Sequence, residues 1–316
     1  MERSANLRQL LRDSTGNEKK NWKSNASIQY PVLTVRWVLR QAIAELAPAT
    51  DAARLEAEVL LSHVLEIPRT GLLTHPERTL TSDQLANYQT LIRHRASCYP
   101  LPYLTGRIEF YGLEFKVTPD VLIPRPETET LVDLALALYS SSARSSSTHL
   151  IIADVGTGSG CIAVSLAVHL PRAVVYAVDI SPAALAVARR NVEQHGVATR
   201  VWLMVGDVLV LRSGLADLIV SNPPYISTDD CDSLPASVRD YEPRLALDGG
   251  PDGLSVVRRL LAQAPSVLRP GGVLLIEIGA DQGEAVACLA RIAFPRAAVR
   301  VHPDLAGRDR VLEVQT

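Results

Sequence analysis

The chain has few cysteines and no closely spaced pair of them. Cys98, Cys161, Cys231 and Cys288 are scattered with no Cys-x-x-Cys spacing, which argues against a disulfide framework and points to a reduced, cytoplasmic compartment. Excess charge is missing as well: 32 basic residues meet 34 acidic ones, for a net charge of -2. No global positive field therefore draws the protein to nucleic acid or to an anionic membrane. No apolar run approaches the roughly 20 residues of a membrane span, and the first residues contain no apolar signal-peptide core. A Gly-Lys-Ser/Thr phosphate loop is absent, and none of the seven histidines falls in a motif. No metal site, membrane contact or direct nucleic-acid contact is expected, and a monomer is. What is present is the composition of an ordinary globular protein, 47% hydrophobic and 21% charged over 316 residues, long enough for two domains.

Residues 1–30 carry six basic and three acidic side chains without apolar period, and a disordered polar tail is expected. A targeting segment fits less well, because Glu2, Asp13 and Glu18 interrupt it. From Thr34 the period becomes helical. Val35, Val38, Leu39, Ile43 and Leu46 share one face; Leu55, Val59, Leu60 and Val64 are expected inward on a second helix, and Leu85, Tyr88, Leu91 and Ile92 on a third. These residues form a small helical domain over 31–98, whose balanced charge makes it a poor duplex-gripping module. Residues 99–125 read as a hairpin, turning at Tyr111-Gly112, and a linker. The serines of residues 140–148 read as an exposed connection.

Strands and helices alternate after Leu150. Strands are expected at 150–155, 174–178, 201–205, 218–221, 273–278, 298–301 and 310–314, with Pro270-Gly271-Gly272 as a break before the fifth. Such alternation means an α/β fold with a largely parallel, doubly wound sheet, here assigned to residues 126–316. The first strand runs into Gly156-Thr157-Gly158-Ser159-Gly160, where glycine lets a ligand lie against the main chain at a helix N-terminus. Asp179 ends the second strand 23 residues beyond Gly156, placed to accept from ribose hydroxyls. Asp207 ends the third, placed to meet an adenine amino group. Each acid alone is an ordinary loop or cap residue; three polar sites at successive strand ends make a nucleoside pocket.

The fourth strand ends in Asn222-Pro223-Pro224-Tyr225. Two prolines fix φ and donate no N–H, so the carbonyls there are held stiffly and stay available as acceptors. Asn222 adds a side-chain carbonyl and Tyr225 an aromatic face, a corner suited to a planar NH2 group. An amide or exocyclic amine is a weak nucleophile, and gripping its hydrogens aims the nitrogen at an electrophile. With a nucleoside pocket opposite, that electrophile is a methyl sulfonium, and the inferred cofactor is S-adenosyl-L-methionine.

These motifs, with Pro102-Tyr103-Leu104-Thr105-Gly106, Glu109-Phe110-Tyr111-Gly112, the segment from Leu122 through Pro124-Arg125-Pro126 to Glu129, and the run from Asp304 to Arg310, make the chain resemble the release factor glutamine methyltransferases of the HemK/PrmC type. The resemblance runs from about residue 33 to the C-terminus. It implies a class I S-adenosylmethionine-dependent methyltransferase fold, Rossmann-like, with a mostly parallel seven-stranded sheet whose last strand is antiparallel. It also implies methylation of the glutamine amide nitrogen (N5) in the Gly-Gly-Gln motif of class-1 peptide chain release factors, the expected protein partners. Carried onto this sequence, Gly156, Thr157, Gly158, Ser159 and Gly160 hold the methionine end, Asp179 the ribose, and Asp207 with Val208 the adenine, with Asn222 bordering both ligands. Asn222, Pro223, Pro224 and Tyr225 hold the glutamine, and Phe110 and Arg125 fall near the substrate mouth. Glu277, ending the fifth strand, has no assigned part. The alternatives are an adenine-N6 methyltransferase acting on DNA or RNA, which must extrude its base and hold a phosphate backbone, and a non-catalytic binding platform.

Overall fold

The computed structural model describes residues 33–140 and 149–316. The expected polar tail at 1–30, and the serine-rich connection apart from Ser140, lie outside the described residues.

The helical region begins where Thr34 Oγ1 accepts the Trp37 N–H at 3.3 Å, capping helix α1 (Val35–Leu46). Helices α2 (Ala53–Leu65), α3 (Arg69–Thr74) and α4 (Ser82–Ala96) follow, α4 opening with a reciprocal capping box between Thr81 and Gln84. Val38, Leu46, Leu60, Leu61, Tyr88 and Ile92 meet in its core. The register of α2 differs from the expected one. Leu55 faces solvent, whereas Ala53, Ala57, Leu60 and Leu61 face inward beside two buried glutamates. Glu56 takes both hydrogen bonds of the Arg95 fork at 2.7 and 3.1 Å, and Glu58 takes Arg54 at 2.9 Å and Arg69 at 2.7 Å. Pairing makes their burial tolerable and rotates Leu55 outward.

A short helix α5 (Leu101–Thr105) leads into the hairpin of β1 (Arg107–Phe110) and β2 (Leu113–Lys116), which turns at Tyr111-Gly112 as the sequence predicts. Its tip docks on helix α6 (Glu129–Ser140): the Tyr111 N–H donates to Glu129 Oε1 at 2.8 Å and its hydroxyl to Asp133 at 2.6 Å.

The remainder alternates as β3 (Leu150–Val155), α7 (Cys161–His169), β4 (Ala173–Asp179), α8 (Pro182–Gln194), β5 (Val201–Val205), β6 (Ala216–Ser221), α9 (Ser255–Val267), β7 (Leu268–Glu277), α10 (Gly283–Ala293), β8 (Ala298–Pro303) and β9 (Asp309–Gln315). The sheet has seven strands in the order β5-β4-β3-β6-β7-β9-β8, and the last, β9, is antiparallel to both neighbours. This is the mostly parallel, doubly wound sheet expected from the sequence. Strand β7 starts earlier than expected, at Leu268, and passes through Pro270-Gly271-Gly272 with a register shift against Ala216 and Leu218. Proline and glycine here mark an irregularity inside a strand, not its beginning. Apolar side chains pack on both faces, with α6, α7 and α8 covering one and α9 and α10 the other. Strand β3 pairs with β4 on one side and β6 on the other, so the connections diverge there and leave a crevice at the strand C-termini. No helix among the described residues is long and apolar enough to cross a membrane.

Candidate active site

At that divergence a cleft is lined by the glycine loop after β3, Asp179 and Ile180 after β4, Asp207 and Val208 after β5, and Ser221 to Pro224 at the end of β6. The strand ends are tied directly: the Ser221 hydroxyl donates to the Val155 carbonyl at 2.8 Å. Gly156, Gly158 and Gly160 all adopt φ between +55° and +80°, the left-handed region that costs other residues about 1–2 kcal/mol. A Cβ on Gly158 would meet nothing within 4 Å, whereas one on Gly160 would lie 3.2 Å from Ala188 Cβ. Gly158 thus leaves its main chain open to a ligand, and Gly160 lets α8 pack closely.

Carboxylates fix the loop. Asp179 accepts the Gly158 N–H at 2.8 Å and the Ser181 N–H at 2.9 Å, so the acid that ends β4 joins the glycine loop to the start of α8. Burial still pushes its pKa up, against those two amides. Asp154, one residue before Val155, is fully buried and takes the Thr157 hydroxyl at 2.6 Å, but its Oδ1 has no hydrogen-bond partner among the described residues. Burial pushes its pKa up to about 7. Buried Asn191 of α8, which the sequence reading passed over, accepts the Lys116 N–H at 2.7 Å and donates to the Ser159 carbonyl at 2.8 Å. An asparagine on a buried helical face was its only signal. Asp207 is exposed on the cleft and ion-paired with Arg259, and Val208 is held at φ +66°, a strained conformation for a β-branched residue.

The Asn222-Pro-Pro-Tyr turn is braced from behind. Gln282 Nε2 donates to the Tyr225 carbonyl at 2.8 Å, and a Cβ on Gly249 would lie 2.6 Å from the Pro224 carbonyl oxygen. Asn222 Nδ2 donates to Thr128 Oγ1 at 3.1 Å, and no hydrogen bond to Asn222 Oδ1 is made among the described residues. The side-chain carbonyl is therefore the group left to accept. Glu277, only 1% exposed, faces the back of the turn: its Oε1 receives the Tyr225 hydroxyl at a long 3.5 Å and its Oε2 has no partner among the described residues. Burial raises its pKa from 4.5 to about 7, opposed by Thr128 and Arg310.

Two segments of the chain match family models, residues 38–106 the PrmC N-terminal domain and residues 130–235 the methyltransferase small domain. The release factor glutamine methyltransferase of Moorella thermoacetica is 50% identical over 280 residues, covering 88% of this chain and 97% of that protein. The Geobacter sulfurreducens protein of the same name is 46% identical, over 81% of this chain and 87% of its own. The chain belongs to the release factor glutamine methyltransferase family. Among solved structures, the hMettl16 catalytic domain in complex with the MAT2A 3'UTR hairpin 6 superposes with a TM-score of 0.52 at 17% identity, over 77% of this chain and 85% of that one. At that identity it shows a shared fold alone.

Of the two residues carried over from the family onto the substrate mouth, Phe110 is buried away from the cleft and Arg125 is held in an ion pair. Phe110 is 1% exposed, packed edge-on against Phe115 in the core between hairpin and sheet, and has no surface on the cleft. Arg125 gives its guanidinium to buried Glu242 at 2.5 Å, whose second oxygen takes the Ile123 N–H at 3.2 Å. It clamps the linker to the segment that follows the Asn-Pro-Pro-Tyr turn. As a core residue, Phe110→Ala is expected to cost about 3–5 kcal/mol of stability with the KM for the protein substrate unchanged; denaturant titration and steady-state kinetics check this, and a raised KM at unchanged stability would contradict it.

Glu277 sets a second expectation. Its folded-state pKa lies above the unfolded value of 4.5 and near 7, so the folded protein holds the extra proton, and stability is full below the unfolded value and declines as pH rises toward 7. Converted at 1.36 kcal/mol per unit, the loss is on the order of 3 kcal/mol. Glu277→Gln therefore melts higher than the parent at pH 8 and about level with it at pH 4 in thermal scans. A lower melting point at pH 8 would assign the carboxylate a stabilising role instead.

Proposed function

We propose that this chain transfers the methyl group of S-adenosyl-L-methionine to the side-chain amide nitrogen of the glutamine in the Gly-Gly-Gln motif of class-1 peptide chain release factors. The observation that carries this reading is the Asn222 amide: its nitrogen is held by Thr128, which leaves its oxygen, with the Pro223 carbonyl, to serve as two acceptors for one planar NH2 group. S-adenosyl-L-methionine, when bound, supplies an electrophilic methyl group. The donor set suits it. Gly158 leaves open main chain for the methionine end, Asp179 presents carboxylate oxygens for ribose hydroxyls, and Ile180 with Val208 gives apolar walls for adenine.

Asn222 and Pro223 hold the two hydrogens of the substrate amide, and Tyr225 covers its plane. Alignment of a weak nucleophile is the main contribution of such a corner. No side chain is required as a base, because the nitrogen becomes acidic as it is alkylated and releases its proton to water. Residues 31–98 are assigned to selection of the protein substrate, residues 99–125 to the connection, and residues 126–316 to catalysis, supported by the separate family matches on either side of the hairpin. The adenine-N6 reading has no basic recognition region to support it, and the relatives matched over most of their length carry the release factor name.

The test is peptide mass spectrometry of a purified release factor incubated with this protein and S-adenosyl-L-methionine, beside DNA and RNA. One added methyl on the Gly-Gly-Gln glutamine is expected. Methylated nucleic acid with an unmodified release factor would overturn the substrate assignment.

A further inference from the structure

The cofactor cleft takes part of its lining from outside the two segments that match family models. Asp120, Val121, Leu122 and Pro124 lie in the linker between residues 38–106 and 130–235, yet all four border the cleft together with the glycine loop. A cofactor bound there meets two stretches of chain that are far apart in sequence. One buried side chain joins them.

Asn191, in the body of α8, has no exposed surface. Its Oδ1 accepts the Lys116 N–H at 2.7 Å, and its Nδ2 donates to the Lys116 carbonyl at 3.0 Å and to the Ser159 carbonyl at 2.8 Å. A main-chain N–H can only donate, so the pairing with Lys116 fixes which end of the amide faces which way. Both Nδ2 hydrogens are then spent, one on the last residue of β2 and one on the glycine loop. Lys116 leads directly into the linker, where Val117, Val121 and Ile123 pack with Ala184 and Val187 of α8. On the loop side, Asp179 holds the Gly158 N–H and Asn191 the Ser159 carbonyl. The open main chain at Gly158 is thereby anchored on either side of the peptide that follows it.

We propose that Asn191 is a positioning residue for the cofactor: by joining the Ser159 carbonyl to the main chain of Lys116, it sets the glycine loop and the linker at the separation that S-adenosyl-L-methionine spans. This rests on the reading of the cleft as the S-adenosyl-L-methionine site. Asparagine is the side chain the position needs. Aspartate is nearly isosteric and keeps the acceptor for the Lys116 N–H, but it turns carboxylate oxygen on two carbonyls; leucine keeps the shape with neither donor nor acceptor. At the end of α8, Gln194 and His195 each place a nitrogen 2.8 Å from the Glu114 carbonyl. These bonds hold the hairpin, and losing one of them provides the comparison.

The experiment measures affinity for S-adenosyl-L-methionine and S-adenosylhomocysteine by calorimetry, with melting temperature, kcat at saturating cofactor and KM for the release factor. Wild type, Asn191→Asp, Asn191→Leu and Gln194→Ala are compared. Both Asn191 variants are expected to bind cofactor about 10-fold more weakly or worse. Their KM for the release factor is expected to stay within about twofold, and kcat to recover to within about threefold once cofactor saturates. Gln194→Ala is expected to keep cofactor affinity within about twofold. A purely structural role lowers the melting temperature and the active fraction but leaves the cofactor Kd of the folded protein unchanged. That result would overturn the inference, as would an equal loss of affinity in Gln194→Ala. Should neither Asn191 variant fold, hydrogen exchange of the wild type decides: the Lys116 amide is expected to exchange more slowly once S-adenosylhomocysteine is bound, and an unchanged rate would overturn the proposal. A wild type that binds neither ligand sinks the reading of the cleft as well, whereas normal wild-type binding with an indifferent Asn191→Asp sinks only the positioning role.

Discussion

Asn222→Ala is expected to lose about 10²–10³-fold in kcat while its affinity for S-adenosyl-L-methionine stays within about threefold. Among the described residues the side chain makes a single hydrogen bond, from Nδ2 to Thr128, so truncation removes an acceptor without dismantling the turn. The two following prolines keep the main chain in place. A small perturbation of substrate position costs far more in rate than in binding, because the weak amide nucleophile depends on alignment. Single-turnover kinetics and calorimetry on the same preparation separate the two effects. Near-normal turnover would remove Asn222 from the catalytic role, and lost cofactor binding would recast it as a cofactor residue.

Gly253→Ala carries a large expected structural effect on the turn itself. Gly253 sits at φ +73° and its added Cβ would lie 2.3 Å from the Tyr225 carbonyl oxygen and 2.8 Å from Gln282 Nε2. A main-chain oxygen held by a hydrogen bond from Gln282 cannot move aside cheaply. The expected outcome is a destabilisation of about 3 kcal/mol or more, with the Asn-Pro-Pro-Tyr turn displaced and turnover lost in whatever remains folded. Gly158→Ala is the control. It shares the positive φ, +55°, but its Cβ would meet nothing within 4 Å, so it should cost only the backbone strain of about 1–2 kcal/mol. Equal losses in the two variants, read by denaturant titration, would show that strain alone, without the contact to Tyr225, explains Gly253.

Ionising the buried Glu277 carboxyl weakens the fold as pH rises. A group kept at such a cost is the pattern expected of a functional site, where local stability is sacrificed for preorganisation.

Much of the candidate site is legible in the sequence because its signals are local. The glycine loop, the acid at the end of β4 and the Asn-Pro-Pro-Tyr turn each occupy a few consecutive residues at strand ends, and strand periodicity located those ends. What the sequence left hidden has a common cause. Arg125 finds its partner in Glu242, 117 residues later, and nothing near Arg125 in the chain reveals that pairing. Phe110 has the same hydrophobic signature at a mouth or in a core, and its burial depends on how the hairpin docks on α6. Leu55 was placed inward by hydrophobicity, whereas arginines from α3 and α4 made room for Glu56 and Glu58 instead.

The sequence by itself determined most of the strands, the longer helices and the α/β class, since backbone propensity and side-chain period are properties of short segments. The tertiary structure alone decided which polar groups were spent on one another. Asn191 on the glycine loop, Arg125 on Glu242 and Thr128 on Asn222 are pairings between residues far apart in the chain. A hydrogen bond depends on distance in space, which strand order sets and spacing along the chain does not.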